Sequence, residues 1–489
     1  MCDCCWRQRP LSIRKSGSSC HVSWPRPTFA AKLAKIICRA RMGSCSTIML
    51  STEMNERLTR VEPGTPCGVL LRNYWQPVAL TQELAGPRPV KAVRILGEDL
   101  VLFRDEAGRL GLIDRHCCHR GADLRFGRLE DGGIRCPFHG WLFDVDGACL
   151  EQPAEPVGST FHRKVHQPSY PCCDVNGVIF AYLGVGDPPP LGNMDCFSAP
   201  DSHSFAFKGL LECNWLQALE AGIDPAHASF LHRVFEDTDE EVYGQQFGAT
   251  AANTGVPVTQ VLRKHPVPRI EVEETAYGLR LFALRDLDDG SSHIRVTNLV
   301  FPNVFVIPMS NDMIITQWLV PVDDENSYWY AMFSDFRNLV DQEKMREQRL
   351  ASCTLPDYHS VKHRGNDWGY DPEEQRRLSY TGMGWDINIH DQWAVESPGS
   401  IQDRTKEHLG TTDKAIIANR KMLQRAIEVV EQGQPAPCRP EDDGHVEGLV
   451  AIDTVVARDR WREEWQGHDQ ERRRASSWAR SPWREEPAA

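Results

Sequence analysis

The chain has 489 residues, 41% of them hydrophobic and 25% charged, with a formal net charge of −13. It is long enough for two or three domains with their own cores, and its composition is that of a soluble globular protein. The acidic balance argues against nucleic acid or an anionic membrane as the main partner, since both need a basic face, and no run of about 18 apolar residues predicts a membrane-spanning helix.

Residues 1–53 stand apart as an extension. They carry nine Lys or Arg against only Asp3 and Glu53, without steady periodicity. An Arg-rich, acid-poor start fits an organelle transit peptide; a start of translation at Met49 or Met54 fits as well and is preferred. The segment is therefore left out of the fold. Of 17 cysteines, six precede Met54, while Cys117, Cys118 and Cys136 interleave with histidines. Disulfide frameworks belong to small secreted chains. A chain of this size points instead to a reduced cytoplasm and a metal site.

Residues 54–190 read as a first domain. Between residues 90 and 114, short apolar runs at 93–96, 100–103 and 110–113 alternate with turn signals, the pattern of antiparallel β structure. Residues 177–183 read as its last strand, and Asp187-Pro188-Pro189-Pro190 as a linker. A second domain, 191–436, opens with helical spacing over residues 211–221. A further helix is expected from Asp224-Pro225, with Asp as cap and Pro at the first position. Strand-like patterns return over residues 255–335, including 294–300, 313–320 and a buried strand pair at 299–308, enough for one sizeable sheet. A long helix is predicted over 412–431, capped by Thr412 or Asp413 and stopped by Gly433. Residues 437–489, polar with Trp461, Trp465, Trp478 and Trp483 scattered through them, are expected to be a poorly ordered tail with some helix near 452–465.

Two constellations carry chemistry. Cys117-Cys118-His119 and Cys136-Pro137-Phe138-His139 form a C-x-H, sixteen-residue gap, C-x-x-H pattern. Each half can offer one thiolate and one imidazole, with Gly121 and Gly140 suiting tight loops. Such a set can hold a [2Fe-2S] cluster, and neutral histidines in place of two thiolates raise its potential. A two-Cys, two-His zinc site is the alternative, although zinc sites normally group like ligands together. Cys118 reads as a neighbour rather than a ligand. Downstream, Asp224-Pro225-Ala226-His227 and His232 form D-x-x-H-x4-H. Two histidines and a carboxylate on one face of Fe(II) leave positions for dioxygen and substrate. Five residues along a regular helix place the histidines about 140° apart, so a shared metal requires a widened or interrupted helix.

The runs His116-Cys117-Cys118-His119-Arg120-Gly121-Ala122-Asp123-Leu124 and Cys136-Pro137-Phe138-His139-Gly140-Trp141 resemble the Rieske signature of aromatic-ring-hydroxylating oxygenases. The stretch from Asn214-Trp215-Leu216-Gln217 to Phe230-Leu231-His232 resembles the catalytic-iron motif of the same family. The resemblance runs over about residues 54–433 and includes Asn73-Tyr74-Trp75-Gln76-Pro77-Val78, Glu396-Ser397-Pro398-Gly399 and Glu407-His408-Leu409-Gly410. It is nearest the phthalate 4,5-dioxygenase and phenoxybenzoate dioxygenase branch of the oxygenase (alpha) subunits.

That resemblance implies an α+β fold: an antiparallel β Rieske domain joined to a catalytic domain with a large curved antiparallel sheet. It implies a cluster on Cys117, His119, Cys136 and His139, and a catalytic iron on His227 and His232. The segment Asp391-Gln392-Trp393-Ala394-Val395-Glu396 implies Asp391 as third ligand, with Glu396 and Asp403 as fallbacks. Asp224 is expected to bridge His227 to the cluster histidine at position 139 of a neighbouring subunit, or simply to cap its helix. The family implies a homotrimer or stacked trimers, electrons from NADH through a separate flavin and iron-sulfur reductase, and dioxygenation of an aromatic, carboxylated ring. Monooxygenation or O-demethylation is the alternative, and a bare Rieske electron carrier is less favoured. Arg263, Arg269 and Arg295 are candidate partners for a substrate carboxylate.

Overall fold

A computed structural model describes residues 50–236 and 257–484; the extension expected at residues 1–53 lies outside them up to residue 49. In the first domain the turn residues act as their chemistry suggests. Leu96 and Gly97, both with positive φ, close the hairpin between Val90–Ile95 and Glu98–Arg104. Leu110–Asp114 and Ser169–Tyr170 complete a four-stranded antiparallel sheet. Trp75–Leu80, Val178–Tyr182 and Cys172–Val175 form a second sheet. The third sheet contains Arg128–Glu130, Gly133–Arg135, Leu142–Phe143 and Cys149–Glu151. Cys117 and Cys136 are buried in a small core of the first and third sheets with Phe103, Ile134, Trp141 and Phe143.

The second domain is built on one eight-stranded antiparallel sheet. Its strands are β1 (Ser204–Leu211), β2 (Arg269–Thr275), β3 (Gly278–Asp286), β4 (Ser291–Val300), β5 (Val304–Pro308), β6 (Met313–Pro321), β7 (Ser327–Asp335) and β8 (Ile452–Ala457). The order is β1-β7-β6-β5-β4-β3-β2, with β8 beside the first half of β4. The central strands are buried on both faces, which is why they read as near-continuous apolar runs rather than alternating ones. Four helices matter for the site: α1 (Trp215–Gly222), α2 (Ile387–Glu396), α3 (Lys414–Glu431) and α4 (Trp461–Ala475). Among the described residues no helix is long and apolar enough to cross a membrane.

Three expectations need correction. Over residues 211–221 the chain is strand up to Leu211 and helix only from Trp215, because Asn214 caps α1 by accepting the Leu216 N–H. No α-helix starts at Asp224-Pro225: the segment is a short 3₁₀ turn, His227–Ser229. The tail is folded, so the second domain does not end at residue 436. Strand β8 pairs with β4, and α4 lays Trp461 and Trp465 on Phe282 and Leu284 of the sheet's outer face. Its buried charges are paired: Arg473 with Asp469 and with Asp195, and Arg472 with Asp469.

Candidate functional site

The two cysteine–histidine loops have one backbone design. In the first, Gly121 N–H bonds Cys117 O (2.8 Å) and Cys117 N–H bonds Ala122 O (2.9 Å); in the second, Gly140 N–H bonds Cys136 O (2.9 Å) and Cys136 N–H bonds Trp141 O (2.8 Å). Both glycines take φ near +75°, where L side chains are strained. The loops bring the rings of His119 and His139 to a centroid distance of 4.5 Å. Trp141 stacks flat on His119, at 4.2 Å and 8°. Gln167, fully buried, staples the first loop: its amide donates to Asp114 O and His116 O, and its carbonyl accepts from Cys118 N–H.

At the second site, the turn after α1 solves the spacing problem posed by two histidines five apart. The 3₁₀ turn and the irregular residues after it bring the His227 and His232 rings to a centroid distance of 5.1 Å. Asp391 enters from α2, with Oδ1 3.8 Å from His227 Nε2 and 3.3 Å from His232 Nε2. One ligand atom from each of the three residues lies within 4.8 Å of the others. Asp224 Oδ2 lies 3.9 Å from His227 Nδ1, while its Oδ1 accepts the Ala226 N–H. Burial, reinforced by His232, lowers the His227 pKa, so its ring is held neutral. Burial pushes the Asp391 carboxyl up, but His232 and His227 outweigh it and keep the group below its ordinary value. Two imidazoles and one carboxylate converge.

The fallback carboxylates lie elsewhere. Glu396 is buried and accepts from Trp368 Nε1 (2.8 Å) and Glu212 N–H (2.9 Å); Asp403 is bound to Thr405 and Lys406 at the surface. Gln217 ties the two site helices together, its amide donating from α1 to Val395 O and Gly399 O at the end of α2. His390 stacks on His232 at 5.7 Å and bonds Gly384 O through Nε2 (2.9 Å). None of Gln167, Trp141, Gln217 or His390 stands out in the sequence as a site residue. Trp141 belongs to the Rieske motif and Gln217 to the catalytic-iron motif, which is the one signal that could have found them.

The triad opens into a cavity of about 220 Å³. Phe305, Ile307, Ile315, Leu319, Trp329 and Phe333 give it apolar walls, and Arg233, Arg263 and Arg295 also line it. Arg269 does not; it lies at the start of β2 beside Glu271.

Comparison with known proteins gives this architecture a family. Residues 74–171 match the Rieske [2Fe-2S] domain, and residues 181–480 match the LigXa C-terminal domain-like family. The phthalate 4,5-dioxygenase oxygenase subunit of Pseudomonas putida is 35% identical over 79% of this chain and 88% of its own length. The chain belongs to the Rieske non-haem iron oxygenases. Other relatives of this oxygenase include the phenoxybenzoate dioxygenase subunit alpha of Ectopseudomonas oleovorans (34% identical, 77% of this chain, 85% of the relative). The 5,5'-dehydrodivanillate O-demethylase oxygenase subunit of a Sphingobium strain is 32% identical over 79% of this chain and 82% of the relative. Among solved structures, an NdmA variant of Pseudomonas putida CBB5 shares the fold, with TM-score 0.50, 18% identity, and coverage of 74% of this chain and 92% of that one.

A Rieske oxygenase uses a [2Fe-2S] cluster and a non-haem Fe(II), and the residues present fit both. Cys117 and Cys136 are buried side by side, and His139 Nδ1 is buried with no hydrogen-bond partner among the described residues. Burial, with Cys136 adjacent, pushes the Cys117 thiol up to about 12, and a thiol that coordinates a metal is deprotonated by it. At the second site one ligand atom from each of His227, His232 and Asp391 lies within 4.8 Å of the others, and two imidazoles with one carboxylate are the donor set that suits Fe(II).

Proposed function

We propose that this Rieske oxygenase is the terminal component of a multicomponent dioxygenase, adding dioxygen to an aromatic ring that bears a carboxylate. The observation that carries the reading is the opening of the His227–His232–Asp391 triad into a cavity with apolar walls and arginines on its lining. An aromatic ring fits the apolar part, and the guanidinium of Arg233, Arg263 or Arg295 offers a carboxylate a positive partner. The relatives named for phthalate and phenoxybenzoate, both aromatic acids, support the same class.

In this reading Cys117, His119, Cys136 and His139 hold the cluster, and His227, His232 and Asp391 hold the iron. When bound, the cluster supplies electrons one at a time and the Fe(II) activates dioxygen. Asp224 orients His227 through Nδ1 and, in a homotrimer or stacked trimers, reaches His139 of the partner subunit. NADH is oxidised by a separate flavin and iron-sulfur reductase, and the protein works in the cytoplasm.

O-demethylation is the second reading, favoured by the near-equal identity to an O-demethylase subunit. Supplying the protein with a reductase and tracing ¹⁸O₂ through a panel of aromatic acids and aryl methyl ethers separates the two. A cis-diol carrying both labelled oxygens is expected. A phenol with formaldehyde assigns the demethylase instead.

A further inference from the structure

The part of the chain that looked least structured backs a residue in the wall of the cavity: Asp453 of β8 holds Arg295, which lines it. On the inner face of the sheet, Arg295 of β4 sits directly across from Asp453 of β8. Arg295 Nη1 donates to Asp453 Oδ2 (2.7 Å) and Nη2 donates to Pro308 O (2.7 Å). Asp453 is fully buried, while the Arg295 side chain keeps 21% of its surface, and Arg295, Pro308, Thr297 and Gln317 all line the cavity. His293, two residues along β4 and therefore on the same face, bonds the other Asp453 oxygen. Burial pushes the Asp453 carboxyl up, but His293 and Arg295 together hold it at about 2, so it is charged at any working pH.

A second guanidinium completes the group. Arg285 of β3 is the cross-strand partner of His293 and is buried. Its Nη2 bonds Ser229 Oγ (3.0 Å), beside the metal turn; its Nε and Nη1 have no hydrogen-bond partner among the described residues. This face of the sheet thus carries two guanidinium groups and one carboxylate, and the carboxylate decides how much positive charge the cavity feels.

We propose that Asp453 is a positioning residue that sets the charge preference of the cavity, by holding Arg295 in its wall and neutralising it. The proposal rests on the reading of this cavity as the substrate site. It makes the C-terminal strand a determinant of substrate choice between anionic and neutral aromatics.

The test is calorimetric binding to the oxidised, metal-loaded protein, with phthalate and its neutral analogue phthalamide as probes. The readout is the ratio of their Kd values, which a loss of general stability does not move in a defined direction. Asp453→Asn keeps the shape and an acceptor for Arg295, and is expected to shift the ratio toward phthalate on the order of tenfold, the effect of one charge at a partly buried site. Arg295→Gln is expected to shift it against phthalate by a similar factor. The double variant restores a neutral pair of similar shape and should return the ratio to within about threefold of wild type. It also keeps the wild-type net charge of this face, one guanidinium in place of two guanidiniums and a carboxylate, so it decides the matter even where a single variant fails to load its metals. A ratio unmoved in both single variants, or a double variant that stays with Arg295→Gln, overturns the proposal. Wild-type protein that binds neither probe overturns the functional reading, and this inference with it.

Discussion

His227 faces a carboxylate at each ring nitrogen: Asp224 Oδ2 lies 3.9 Å from Nδ1 and Asp391 Oδ1 lies 3.8 Å from Nε2. The two acids act differently on one imidazole. Asp391 converges with both histidines, whereas Asp224, among the described residues, meets His227 and its own turn. Asp224→Asn is therefore expected to keep iron and acid-labile sulfide at wild-type levels while turnover falls roughly 10- to 100-fold, the usual cost of losing a carboxylate behind a metal histidine. Wild-type turnover in that variant would remove Asp224 from the electron path.

Asp391 and Glu396, two of the three candidate third ligands, can be told apart by iron content. Asp391→Ala is expected to lose the mononuclear iron and all turnover while the visible spectrum of the cluster stays intact. Glu396→Gln is expected to keep that iron, because its oxygens are already engaged by Trp368 and the Glu212 N–H. Its cost falls on stability, about 1–3 kcal/mol for a disturbed buried acceptor. Iron analysis with thermal unfolding of both proteins checks the pair, and iron loss from the Glu396 variant rather than the Asp391 variant would reverse the assignment.

Gly140→Ala should damage the cluster loop. The residue has φ +76°, and a Cβ there would stand 2.7 Å from Pro153 Cγ, a ring that cannot swing aside. The left-handed conformation alone costs an L residue about 1–2 kcal/mol. Cluster absorbance per chain is the measurement, with a loss of more than half expected. Gly64→Ala, with φ +84° and nothing within 4 Å, is the control that shares the strain without the clash.

Glu220 of α1 is buried between Arg404 and Arg420, and Arg420 also pairs with Glu407. Burial pushes its carboxyl up, but the two guanidiniums outweigh that and lower its pKa. A carboxylate whose pKa is lower folded than unfolded contributes stability above its unfolded value of about 4.3, and loses it as pH falls through the folded value. Glu220→Gln strands buried positive charge and is expected to cost about 3–5 kcal/mol at pH 7. The gap between wild type and variant should shrink as pH drops below about 4. Urea midpoints from pH 7 to 3 test this, and a gap independent of pH would mean that Glu220 is not the titrating group.

The cluster motif was legible because each short loop carries its own candidate ligands: spacing and two glycines suffice. The convergence of His227 and His232 was not, since it depends on the helix at Asp224-Pro225 failing to form. Asp391 lies far from both histidines in sequence, on another helix, and only resemblance pointed to it. Gln167 left no signal, because its partners are backbone groups about fifty residues away. The misreading of the tail has a different cause. Composition counts charges but not pairings, so Asp469, Arg472 and Arg473 looked like solvated surface when they form a buried network.

That network raises the question of whether the C-terminal helix supports the sheet or only rests on it, and Trp465 can answer. It is fully buried, packs on Phe282 at 5.8 Å, and has the Arg280 guanidinium 5.4 Å from its ring. With Trp461 one turn earlier, it forms the apolar stripe of an otherwise highly polar helix. Removing a buried Trp costs about 3–5 kcal/mol, a large share of the 5–15 kcal/mol that typically holds a domain together. Trp465→Ala is therefore expected to lower the urea midpoint sharply, and Glu463→Ala, exposed on the same helix, to change stability by less than about 0.5 kcal/mol. A Trp465 variant as stable as wild type would mean that α4 contributes nothing to the sheet beneath it.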